Sequence, residues 1–149
     1  GDDNLISRAI LEKISLGCGM NGNTTVVVPD TSYSSPKPTY DIVFNRPTDT
    51  RLRIAVQIQN SALLPTGVIQ SVKDAVLAAF NGTNGQRARI GGTVLESNFY
   101  FAISSVGANV FILSVLVAKG TQSPIFNSVS FGIDENPTLD ESDILVSLV

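Results

Sequence analysis

The sequence predicts an α+β fold: an N-terminal helix and β-hairpin, followed by a β-α-α-β-β-β lobe that combines a mixed sheet with two helices. Three observations predict it. Apolar residues recur at helical spacing near the start of the chain, strict alternation runs from Leu52 to Ile58, and two further helical stretches separate that alternation from a group of later strands.

The elements follow in order. Leu5, Ile6, Ala9, Ile10 and Ile14 share one face at helical spacing across residues 3–14, with Asp2, Asp3 and Asn4 available as caps and Gly17-Cys18-Gly19 as the stop. Thr24 to Val28 is β-branched and bounded by Asn21-Gly22-Asn23 and Pro29-Asp30, which predicts a strand. A Ser/Pro-rich loop spans Tyr33 to Pro38, and Tyr40 to Asn45 forms the second strand of the hairpin, stopped by Arg46-Pro47-Thr48. Leu52, Ile54, Val56 and Ile58 then alternate with polar or small residues, as in a strand with one buried face.

Pro65 opens a helix whose stripe is Ile69, Val72, Val76 and Phe80, flanked by Val68, Leu77 and Ala79, and Asn81-Gly82 ends it. Leu95, Phe99, Ala102, Ile103 and Val106 mark another helix. Val110 to Ala118 is apolar on both faces, which predicts a central strand covered on each side. Phe126 to Ile133 and Asp143 to Val149 complete the strands, the last joined through a turn at Asp134-Glu135-Asn136-Pro137. The helices between the first two strands of this lobe would let those strands run parallel, with the others antiparallel at one side. Two lobes are expected, residues 1–50 and 51–149, with protease-sensitive chain at 31–38 or near Arg46 to Arg51.

Composition narrows the function. Ten Lys and Arg against 13 Asp and Glu give a net charge of -3 and no basic surplus to neutralise phosphates, so nucleic acid is not an expected partner. No apolar run approaches bilayer length, so neither is the membrane. Only 15% of residues are charged, which leaves a surface rich in Ser, Thr, Asn and Gln and suited to contact with other subunits. With no histidine, one cysteine and no tryptophan, a Ser-His-Asp or Cys-His pair cannot be built, zinc fingers are excluded, and Cys18 has no intrachain disulfide partner. The opening Gly1-Asp2-Asp3 has neither an initiator Met nor a leader pattern, and reads as the start of a piece cut from a longer protein, with Gly1 left over from cloning.

The candidate sites have structural readings. Gly82 to Gly92 contains Arg87 and Arg89 but lacks the Gly-Lys-Ser/Thr ending of a phosphate loop, so we read it as a loop whose arginines pair with neighbouring acids. Cys18 follows a helix C-terminus, where nothing activates a thiol, and Gly17 to Asn23 reads as a helix stop and tight turn. Asp134, Glu135, Asp140, Glu141 and Asp143 do not match a calcium-loop spacing and read as solvated turn acids, with a local bond at Asp140 or Asp143. No catalytic residue, metal ligand or cofactor site is expected. In the run Phe99-Tyr100-Phe101 successive side chains turn by about 100°. With Phe99 facing the sheet, Tyr100 and Phe101 must meet a second layer or a partner subunit, and they are the candidate interface residues.

The run Gly17 to Asp30 centred on Asn21-Gly22-Asn23-Thr24-Thr25-Val26, with Phe44-Asn45-Arg46-Pro47-Thr48, resembles the central part of baseplate J-like proteins of contractile-tailed bacteriophages. Leu64-Pro65, Val72 to Val76, Phe80-Asn81-Gly82, Ala88 to Gly91 and Gly132 to Leu139, with Asp143-Ile144 and Val146 beyond, are similar to that family's C-terminal domain. The resemblance runs through nearly the whole chain in order and departs from the usual pattern at 31–38 and at Ser123 to Asn127. It implies a wedge component of the tail baseplate, from a phage, a prophage or a related injection system, assembled in the bacterial cytoplasm. It implies contacts with other baseplate and tail subunits, among them self-association, and no catalysis or cofactor. A host-surface or carbohydrate-binding tail module is the alternative, since exposed aromatics also serve sugars.

Overall fold

The computed structural model describes residues 1–15, 17–83 and 87–149. The chain is α+β and divides into two compact units, Gly1–Arg46 and Pro47–Val149. The strand starting at Thr48 draws residues 48–50 into the second unit.

In the first unit, α1 (Asp3–Leu11) is capped by Asp2, whose carboxylate accepts from the backbone N–H of Asn4 at 2.9 Å and Leu5 at 3.1 Å. It lies against an antiparallel hairpin of β1 (Thr24–Pro29) and β2 (Thr39–Phe44), in which Val26 faces Ile42 and Val28 faces Tyr40. The hairpin is closed by a two-way clasp. Asn23 Nδ2 donates to the Arg46 carbonyl and Arg46 N–H donates to Asn23 Oδ1, both at 2.7 Å, while a Cβ on Gly22 would sit 2.3 Å from the Phe44 carbonyl. Arg46 also pairs with Asp3 and lies over the Phe44 ring. The Asn-Gly-Asn motif is thus a backbone device rather than a ligand loop.

α1 ends at Leu11, short of the expected residue 14; its one buried side chain is Ser7, which donates to the Asn4 carbonyl, while Leu5 is exposed, Ile6 and Ile10 are half-buried, and so is Ile14 beyond the helix end. The predicted apolar stripe therefore exists but is not enclosed.

The second unit is built on β3 (Thr48–Ile58), the central strand. Leu52, Ile54, Val56 and Ile58 are fully buried beneath α2 (Val68–Phe80) and α3 (Ser97–Ser104), as the alternation requires. β5 (Ile112–Lys119) lies on one side of β3 and runs antiparallel to it, which corrects the expected parallel pair. Two helices make a round trip rather than a crossover, so the chain re-enters the sheet at the end it left: Gln59 N–H donates to the Phe111 carbonyl at 2.9 Å. The expectation that Val110 to Ala118 is the central strand is also corrected: β3 is the strand bonded along both edges, and β5 flanks it with Leu113 exposed and Val115, Val117 and Ala118 buried.

The other edge of β3 carries two parallel strands in succession. β7 (Glu135–Thr138) pairs with residues 48–51, and β8 (Ile144–Leu148) pairs with residues 54–58, separated by a 3-10 turn at Glu141–Asp143. The expected turn at 134–137 is thus largely strand. Its proline is tolerated because β7 is an edge strand that has a free side. Phe126 to Ile133 contributes a single antiparallel bridge from Phe126 to Val117 of β5 and the short β6 (Ser128–Ser130), which joins β4 (Thr93–Leu95) in a separate two-stranded sheet. Leu95 consequently leaves the α3 face and is exposed. Val72, Val76 and Phe80 of the expected α2 stripe are buried, but Val68 rather than Ile69 completes it, four residues before Val72, and the helix begins after Gly67, in the left-handed region at φ 77°, rather than at Pro65.

Limited proteolysis will read these boundaries. Residues 31–37 are exposed, whereas Thr48 to Arg51 are paired with β7. Chymotrypsin is expected to cut first after Tyr33 and to leave an intact fragment containing 47–149. First cleavage within 48–58 would contradict this assignment.

Candidate subunit interface

The second unit is divided by charge. No Asp, Glu, Lys or Arg occurs in residues 54–72, 97–118 or 144–149. The sheet gathers those three stretches at one end, since residues 54–58 pair with β5 on one side and β8 on the other. Backbone bonds close that end: Val149 N–H donates to the Ile58 carbonyl at 3.0 Å and Asn60 N–H to the Val149 carbonyl at 2.8 Å. Leu63, Phe111, Leu113 and Val149 are each more than half exposed there, and Leu148 is 37% exposed. Leu113 is turned out by an irregularity in the β3–β5 register, where Gln57 faces Ser114 but Ile58 faces Ile112.

Charged residues gather at the opposite end. Arg51 pairs with Asp143 at 3.1 Å and with Asp140 at 3.7 Å, Lys73 with Glu141 at 3.6 Å, and Lys119 with Glu135 at 2.7 Å. Asp143 is buried, so the acids read as solvated turn residues are instead largely engaged in ion pairs. Glu135 also accepts from the Gly132 N–H at 2.6 Å. That backbone donor first, then Lys119, holds its carboxyl below the ordinary glutamate value.

The remaining sequence candidates occupy different places. Arg87 and Arg89 make no ion pair among the described residues, which corrects that expectation. They line a cleft of about 210 Å³ between the end of α2 and the start of α3. Asn84, Gly85 and Gln86 of the same loop lie outside the described residues. Cys18 is exposed. Among the described residues no three His, Cys, Asp or Glu side chains gather as metal ligands, and every buried side-chain polar atom has a hydrogen-bond partner.

Tyr100 and Phe101 diverge. Tyr100 is partly buried and packs on the core beside Phe99, whereas Phe101 is 71% exposed. Sequence reasoning missed Leu63, Phe111, Leu113 and Leu148; the unbroken uncharged stretches were the signal that could have found them. No protein-family model matches the chain, and a search among curated proteins finds no significant relative. Fold and surface therefore define the class: an α+β chain whose second unit has a charged end and an uncharged apolar end.

Two predictions follow from these geometries. Phe101→Ala should alter stability by less than about 0.5 kcal/mol, and Tyr100→Ala should cost about 1–3 kcal/mol, as read by denaturant titration. The Glu135 carboxylate, with its pKa depressed in the folded state, adds stability that is present above its unfolded value and lost as pH falls through the folded one. Glu135→Gln should accordingly lower the melting temperature at neutral pH, and the gap to wild type should close in acid.

Proposed function

We propose that this chain is a structural subunit of a contractile-tail baseplate from a phage or prophage, working through contacts with other baseplate and tail subunits. The uncharged apolar end of the second unit carries the reading. Burying such a surface against a partner requires no ion to be stripped of water, so the area removed contributes to association without an offsetting charge penalty. The side of α1 that is only partly covered adds a second, largely apolar surface, a shallow groove lined by Ile6, Ala9, Ile10 and Ile14 with Lys13 beside them. The family resemblance names the assembly such surfaces would serve. The reading requires no catalytic residue or cofactor, and it places the chain in the virion tail after assembly in the bacterial cytoplasm.

Antibody raised against this chain, applied to purified contractile tails, should label the baseplate end in electron micrographs. Phe111→Ser combined with Leu113→Ser should reduce the yield of assembled tails at least tenfold while the isolated chain keeps its far-UV circular dichroism. Unlabelled tails, or glycan binding by a chain that never enters tails, would overturn the reading.

A further inference from the structure

The edge of β8 bears none of the features that normally keep a sheet edge from pairing with another chain. Among the described residues β8 is bonded to β3 on one side and to no strand on the other. Ile144 to Val149 contains no proline and no charged side chain, and the register with β3 is continuous from Ile54↔Ile144 to Ile58↔Leu148, without a bulge. The ladder decides which backbone groups face outward. Val149 both donates to Ile58 and accepts from Asn60, so Val149, Ser147 and Leu145 direct their polar groups toward β3. Val146 and Leu148 then direct theirs to the free side. Ile144 is not available, because its N–H donates to the Glu141 carbonyl.

We infer that this edge pairs with β8 of a second copy, antiparallel about a two-fold axis at Ser147. In that register Val146 and Leu148 of one copy exchange N–H···O=C bonds with Leu148 and Val146 of the other, so both outward-facing residues are satisfied. Leu145 comes opposite Val149 on one face, and Val146 opposite Leu148 on the other, so each face matches apolar with apolar. A register centred on Val146 would instead require the occupied Ile144 N–H and bring Glu141 to Asp143 toward the partner. Absence of charge makes the strand self-complementary: two copies of a charged edge would oppose like with like. The short edge removes much less than the roughly 1,200 Å² typical of a stable interface, so the dimer is a weak one, with dissociation in the micromolar range or above. The inference rests on the sheet edge alone and stands apart from the baseplate reading.

Sedimentation equilibrium of the full chain tests it. Wild type is expected to move from monomer to dimer as its concentration rises to about 1 mM. Ser147 is exposed and would lie opposite its own copy, so Ser147→Lys and Ser147→Glu should each be monomeric, and a 1:1 mixture of the two should dimerise again. If either variant loses its circular dichroism, Leu148→Pro carries the test, because it removes only an outward-facing donor. A monomeric wild type at 1 mM, a dimer that survives Ser147→Lys or Leu148→Pro, or a mixture that stays monomeric would overturn the inference.

Discussion

β3 is bonded along both edges, to β5 on one side and to β7 and then β8 on the other, while Leu52, Ile54, Val56 and Ile58 project from it into the core. Each neighbouring element takes its position from that strand. The helices cover the face its buried side chains define, and β8 acquires its register by following β3 residue for residue. Cavity-forming changes in such a core cost about 2–5 kcal/mol, a large share of the 5–15 kcal/mol that separates a domain from its unfolded chain.

The division of charge follows from the same strand. The first half of β3 holds Asp49, Arg51 and Arg53, and the second half, from Ile54 on, holds none. Because strands on both sides stay in register, Arg51 of the first half meets the carboxylates of Asp140 and Asp143 and Asp49 meets Asn136 on β7, whereas the partners of the second half are the uncharged ends of β5 and β8. Ion pairs close one end of the unit, and the other is left apolar and open to contact. A surface of this kind is costly to leave in water and inexpensive to bury, which fits a part meant to be assembled.

The first unit follows another logic. Val28 and Ile42 are its buried apolar side chains among the described residues, and the Asn23–Arg46 clasp with the tight approach at Gly22 fixes the hairpin ends through backbone hydrogen bonds. So small a core leaves a lobe of this size marginal. The apolar side of α1 remains partly uncovered, so the side chains that look in sequence like core-facing residues serve here as surface.

Local chemistry alone determined the elements whose signal lies within a few residues: the Asp2 cap and α1, the β1–β2 hairpin, the alternation of β3, and the two helices that follow. The α+β class follows from those, as does the departure of Tyr100 and Phe101 from the face of Phe99, because adjacent helical side chains cannot share one face; that Tyr100 returns to the core while Phe101 stays exposed does not. Only the tertiary structure decided strand direction and neighbour. The antiparallel β3–β5 pair depends on where two helices return the chain, and residues 135–138 become strand only because β3 offers an edge for them to follow. Which acids are paired, which apolar side chains stay exposed, and which edge lies open are likewise products of register across long separations, which no local pattern contains. The uncharged stretches were legible throughout; that they meet at one end of one sheet was not.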